Sequence, residues 1–171
     1  LAYLTLGMTV IIYPRVFVLG DFCRLLEEQR VTVVNVTPLI LNLMLDRSDE
    51  VRERISTVKK IFFASAPIAP AQFRQLVDAF PSVQFYYGYG LTEASPRCST
   101  LLPEFHRTKM GSSGTALRDV DVLIVDEDGH SVPVGQRGEV VVRGPNVMLG
   151  YYKSPDQTAS VMRDGWLRTG D

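Results

Sequence analysis

The run IFFASAPIAPAQFRQLVDAFPSVQFYYGYG, Ile61 to Gly90, decides the fold. Ile61-Phe62-Phe63-Ala64 is a short β-branched and aromatic stretch, and Val83 to Tyr87 is a second. Between them Phe73, Leu76, Val77 and Phe80 fall at i, i+3, i+4 and i+7, the apolar stripe of an amphipathic helix. Strand, helix, strand predicts a crossover between parallel strands. Upstream, Val31 to Val36 reads as a strand continuous enough to be buried on both faces. Pro38 sits where a helix can begin, and Leu39 to Leu45 is apolar nearly all round, which predicts a deeply packed helix. Phe22, Leu25 and Leu26 again have helical spacing, and Thr9 to Tyr13 reads as a short strand.

The pattern changes after about Ser99. Val120 to Val125, Val132 to Val134 and Glu139 to Arg143 read as short strands, separated by Glu127-Asp128-Gly129 and Gly135-Gln136-Arg137-Gly138 turns. Pro155 to Met162 reads as a short helix and Asp164-Gly165 as a turn. The expected fold class is α/β: a parallel sheet with packed helices over residues 1–100, followed by a smaller antiparallel, barrel-like β subdomain over 101–171.

At 171 residues the chain is long enough to bury a real core, and 46% hydrophobic with 22% charged residues is ordinary globular composition. Eighteen basic against nineteen acidic residues leave a net charge of -1, which gives no electrostatic reason to expect nucleic acid or an anionic membrane as partner. Cys23 and Cys98 form no C-x-x-C pair, so they read as reduced thiols of a cytoplasmic protein. The apolar start, Leu1 to Tyr13, is broken by Pro14 and Arg15 short of a membrane span and lacks the basic start of a signal peptide. A first residue other than Met and a patterned last stretch lead us to expect a piece of a longer polypeptide.

In a parallel α/β sheet, ligands collect at the carboxyl ends of the strands. After the last of these strands comes Gly88-Tyr89-Gly90-Leu91-Thr92-Glu93. Its glycines permit close backbone approach, Tyr89 offers a flat face for a base, Thr92 a hydroxyl and Glu93 a hard oxygen suited to magnesium. Such a stretch holds a nucleotide with its metal, or is a Gly-rich turn carrying a surface acid; spacing alone leaves both open. The dinucleotide fingerprint fails, because its third glycine would fall at Glu93 and it belongs to a first βα unit. No P-loop sequence is present.

Three ordered blocks stand out: Tyr87-Gly88-Tyr89-Gly90-Leu91-Thr92-Glu93; Gly138-Glu139-Val140 through Arg143-Gly144 to Gly150-Tyr151-Tyr152 and Thr158; and Gly165-Trp166-Leu167-Arg168-Thr169-Gly170-Asp171. In these blocks the sequence resembles the adenylate-forming acyl-CoA synthetases, with luciferases and adenylation domains among their relatives. Gly111-Ser112-Ser113-Gly114 and Ala66-Pro67 fall where that family has related segments.

The resemblance implies an ATP- and Mg2+-dependent ligase that converts a carboxylic acid to an acyl-adenylate and passes it to coenzyme A. It implies that Tyr89 stacks on adenine, Gly88 and Gly90 admit the adenylate, Thr92 contacts phosphate, Glu93 holds magnesium and Asp171 receives the ribose hydroxyls. Ala66 and Pro67, with Ala64 where the family commonly has Gly, would form the adenine floor; apart from the resemblance, Lys109 and Arg168 read either as phosphate contacts or as exposed basic residues, with Arg168 favoured as a contact by its place just before Thr169-Gly170-Asp171. The acid's pocket would be built from Asn35 to Leu41 and Gly88 to Ala94, stretches without a cation, which favours an apolar fatty or aryl acid. The lack of an acidic residue among Ile61 to Pro70 argues against an amino acid as substrate.

The family's Lys-bearing phosphate loop and its C-terminal domain find no counterpart in these residues. The expectation is therefore a middle slice of the N-terminal domain, inactive alone and completed by the rest of the same polypeptide. The alternative is a non-catalytic nucleotide-binding or structural relative. His106 and His130 read as isolated surface residues, Asp126-Glu127-Asp128-Gly129 as an ordinary turn, and Ser65 lacks the context of a hydrolase nucleophile.

Overall fold

The computed structural model describes residues 2–13 and 16–171, so Leu1 and the Pro14-Arg15 break in the apolar start lie outside the described residues. Helices α1 (Ala2–Thr5) and α2 (Leu19–Glu28) lead into strand β1 (Val33–Val36), followed by α3 (Pro38–Asp46) and α4 (Ser48–Arg54). Strand β2 (Lys60–Phe63), α5 (Pro70–Ala79) and β3 (Gln84–Tyr89) are the anticipated strand–helix–strand unit. Then come β4 (Ser99–Leu101), α6 (His106–Lys109) and β5 (Thr115–Ala116). The remainder is β6 (Asp121–Val125), β7 (Glu139–Arg143), α7 (Pro155–Val161), β8 (Met162–Arg163) and β9 (Trp166–Arg168).

The first sheet is ordered β1-β2-β3-β4-β5. Its first three strands are parallel, in a register that sets Asn35, Phe62 and Tyr86 side by side. β4 and β5 then run antiparallel, so the first sheet extends to Ala116 and the change of sheet falls between Ala116 and Asp121, later than residue 100. The second sheet is antiparallel and ordered β6-β7-β9-β8.

One pleat face of the parallel strands carries Val34, Val36, Ile61, Phe63 and Phe85, all buried. Leu41 and Met44 of α3 and Phe73 and Leu76 of α5 pack in the same cluster. Truncating a side chain as deeply buried as Phe73 costs about 3–5 kcal/mol. The opposite face carries Asn35, exposed, with Phe62 and Tyr86 half-buried and stacked at 4.5 Å. That face borders the site.

Several expectations need correction. Val31 to Val36 is a strand only from Val33, and it alternates rather than being buried on both faces, because the packed helical residues meet one side of the pleat. Leu39 is 67% and Leu43 37% exposed, so α3 is amphipathic: at 3.6 residues per turn Pro38, Leu41 and Met44 are its buried residues. Thr9 to Tyr13 is no strand; the run joins neither sheet, and Ile12 is 78% exposed. Val132 to Val134 is a loop beside a single bridge, Val125 to Ser131. His106 is buried against the Phe73 ring, 4.8 Å between centroids, because the chain turns back over α5 there. Cys23 and Cys98 are free and buried, and burial pushes both thiols up in pKa.

Candidate active site at the strand ends

The carboxyl ends of β1, β2 and β3 open onto a cleft of about 930 Å³, lined among others by Asn35, Thr37, Phe62, Ala64, Leu91 and Thr92. Strand β3 runs on through Gly88 and Tyr89, so the first half of the glycine motif is strand and only Gly90 onward is loop. Gly90 is held by its own chain: a Cβ there would lie 2.5 Å from the carbonyl carbon and oxygen of Pro96. The crossing lets β4 double back along β3. Between the two strands, Thr92–Ala94 forms one 3-10 turn, entered from an extended Leu91 and left through Ser95 at φ 64°. Thr92 is exposed and Glu93 partly buried.

Glu93 is oriented from the other sheet. The Tyr151 hydroxyl donates to Glu93 Oε1 at 2.8 Å, and the Met148 amide donates to the Glu93 carbonyl at 2.7 Å. Asn146 Nδ2 donates to the Ala94 carbonyl at 2.7 Å, and Ser95 Oγ donates to the Asn146 carbonyl at 3.1 Å. The segment 144–151 after β7 is thus a clamp on the 3-10 turn. Its hydrogen bond to Glu93 raises the Tyr151 pKa, so the phenol keeps its proton. A partly buried carboxylate aimed by a tyrosine, next to the exposed Thr92 hydroxyl, is a donor set that suits a hard divalent cation such as magnesium.

Asp171 meets Tyr89 across 82 residues of sequence: the tyrosine hydroxyl donates to Asp171 Oδ2 at 2.7 Å. Burial first, and the Asp171 carboxylate second, push the Tyr89 pKa up to about 12. The terminal segment is fastened to β7, with Thr169 N and Oγ1 both donating to the Val140 carbonyl and Val140 N donating to the Asp171 carbonyl at 3.0 Å. Arg168 braces this edge. Its Nε and Nη2 donate to Glu139 Oε2 at 2.8 and 2.5 Å, while the Gly170 amide donates to Glu139 Oε1 at 3.1 Å. The Arg168 guanidinium holds the Glu139 carboxyl below the usual carboxylate range.

Of the sequence-predicted residues, Gly90, Thr92 and Glu93 line the cleft. Tyr89 and Asp171 form their own pair, Gly88 is buried in β3, and Ala66 and Pro67 are exposed in the loop after β2, just beyond Ser65 at φ 78°. Arg168 is engaged by Glu139. Sequence reasoning missed Arg97, which brings a cation into the cleft: its guanidinium lies 4.3 Å from the Phe62 ring centre and donates to Asn35 Oδ1 at 3.1 Å. The residue stands just past the stretch read as cation-free, and only the unrecognised β3–β4 reversal carries it back over Phe62. Sequence reasoning also gave Tyr151 and Asn146 no role, since their contacts cross between sheets.

Elsewhere, Asp126, Asp128 and His130 place their ligand atoms within 4.8 Å of one another, so His130 is not isolated from carboxylates as its spacing suggests. All three are exposed in a turn where Asp126 Oδ1 accepts from the His130 amide. Among the described residues no helix is long and apolar enough to cross a membrane.

Residues 1–152 match the family of AMP-binding enzymes. The chain is 34% identical over 169 residues to an indoleacetate–CoA ligase of Aromatoleum aromaticum, covering 98% of this chain and 32% of that protein. It is 34% identical over 165 residues to a feruloyl-CoA synthase of an Amycolatopsis species, covering 96% of this chain and 33% of that protein. Among solved structures, o-succinylbenzoate coenzyme A synthetase of Bacillus subtilis in complex with ATP and magnesium superimposes with a TM-score of 0.87 at 27% identity, over 99% of this chain and 34% of that one. The chain spans about a third of the length of the curated relatives it matches. With the strand-end cleft, the Gly88 to Glu93 motif and the coverage of residues 1–152 agreeing, this chain belongs to the AMP-binding enzyme family.

Proposed function

We propose that this chain forms part of the N-terminal domain of an ATP-dependent acid–thiol ligase, which activates a fatty or aryl acid as its adenylate and transfers the acyl group to coenzyme A in the cytoplasm. In the first step a substrate carboxylate oxygen attacks the α-phosphorus of ATP and the α–β bridging bond breaks, releasing pyrophosphate. In the second the thiolate attacks the acyl carbonyl and AMP leaves. The observation that carries the reading is the convergence of two carboxylates from different sheets, Glu93 and Asp171, each held by a tyrosine, on the two ends of one glycine-rich motif.

The residues divide the work. Tyr89 and the exposed Asp171 carboxylate give a flat ring beside a two-oxygen acceptor, which suits a nucleoside with its vicinal diol. Gly88, Ala66 and Pro67 border the base, and Arg168 positions Asp171 through Glu139. Thr92 contacts phosphate. Magnesium, held by Glu93, supplies neutralisation of phosphate charge as the anionic carboxylate approaches.

The test is ATP–pyrophosphate exchange by the full-length protein across fatty and aryl acids, with and without magnesium, for the wild type and Glu93→Gln. Acid-dependent exchange that requires magnesium and falls by on the order of a hundredfold in the variant is expected. AMP binding that is indifferent to magnesium and to the substitution, with no exchange, would establish a non-catalytic module instead. The 171-residue chain alone is expected to give no turnover.

A further inference from the structure

The structure assigns Arg97 a role in choosing the acid: we propose that the cleft takes a carboxylic acid bearing a second carboxylate at its far end, held by this guanidinium. The inference rests on the ligase reading and narrows its substrate class. Arg97 leaves the turn after Gly90 and lies over the sheet face that borders the cleft, its Cγ 3.8 Å from where a Cβ on Gly88 would stand. The guanidinium sits on the Phe62 ring and is tied to Asn35 by one nitrogen, Nη2, which also reaches the Tyr3 hydroxyl at 3.4 Å. Its plane is therefore set before any ligand arrives.

Among the described residues, the ion pairs take up other arginines, and no carboxylate lies within ion-pair distance of Arg97. Its partners Asn35, Tyr3 and Phe62 are all neutral. A half-buried cation without a counter-ion is costly if a hydrocarbon tail strips its remaining water. A carboxylate fits the same group in fork geometry. The rest of the lining supplies the apolar spacer, from Val36, Ile40, Phe62 and Leu91, while Thr92 and Glu93, the proposed phosphate and magnesium residues, line the same cleft.

The experiment compares cinnamate with 4-carboxycinnamate on the full-length protein, by calorimetric binding and by pyrophosphate release, for the wild type, Arg97→Gln and Arg97→Lys. Thermal melts confirm that each variant is folded, and Arg97→Lys keeps the charge if Arg97→Gln does not fold. The wild type should prefer the dicarboxylate by on the order of ten- to a hundredfold, the Gln variant should lose that preference and the Lys variant should keep part of it. Equal preference in wild type and Gln variant, with pyrophosphate still released, overturns this inference and leaves the ligase reading standing. Arg97-dependent binding of the dicarboxylate without pyrophosphate release from any acid does the reverse, overturning the ligase reading and keeping the site.

Discussion

The hydroxyl of Tyr151 and the carboxylate of Glu93 meet at 2.8 Å although they lie in connections within different sheets, 58 residues apart. The contact fixes one carboxylate oxygen of the proposed metal ligand. Tyr151→Phe removes only this hydroxyl. It should leave the melting temperature nearly unchanged and raise the magnesium concentration for half-maximal adenylation by on the order of tenfold. An unchanged magnesium titration would show that Glu93 needs no such support.

Gly90 and Gly20 make opposite predictions for one methyl group. At Gly90 the new Cβ would stand 2.5 Å from the Pro96 carbonyl, so Gly90→Ala must push β3 and β4 apart and should cost about 2 kcal/mol or more in denaturant unfolding. At Gly20, in the first turn of α2, nothing lies within 4 Å, and Gly20→Ala should stabilise by about 0.5–1 kcal/mol.

The Glu139–Arg168 brace has its own pH signature. Because Arg168 lowers the folded-state pKa of Glu139 below the usual 4.5, the stabilisation is present above that value and is lost as pH falls through the lower folded value. A melting-temperature gap between the wild type and Glu139→Gln is therefore expected at neutral pH, closing in acid below pH 4.5. A gap that persists unchanged at the acid end would assign the effect to packing.

His106 acts in a higher window. Burial lowers its pKa from 6.5, so the folded state holds it neutral while the unfolded chain gains a proton. Its contribution is complete above pH 6.5 and declines as pH falls below it. His106→Leu should flatten the pH dependence of the melting temperature just below pH 6.5, whatever it does to the absolute value. A slope identical to the wild type would place His106 outside the buried cluster.

The elements legible in the sequence are those whose pattern is local. Phe73, Leu76 and Phe80 announce α5 by periodicity, and Glu139 to Arg143 and Pro155 onward announce β7 and α7. Thr9 to Tyr13 and Val132 to Val134 have strand composition, but a strand exists only where a neighbour completes its ladder, and composition does not name the neighbour. The same reason hid β4 and β5, too short for any period to register. The motif residues Gly90, Thr92 and Glu93 were readable because they are contiguous at one strand end. Tyr151, Asn146 and Arg97 were not, because each enters the site by a fold-back or from the other sheet.

The clamp between segment 144–151 and the 3-10 turn also bears on how this chain tolerates change. Glu93, Ala94 and Ser95 share four hydrogen bonds with Asn146, Met148 and Tyr151, so neither stretch can open locally without the other letting go. A length change between Gly144 and Tyr151 would be felt less in that surface stretch than at Glu93. A surface loop is thereby bound to the same structural constraint as the glycine-rich motif it holds.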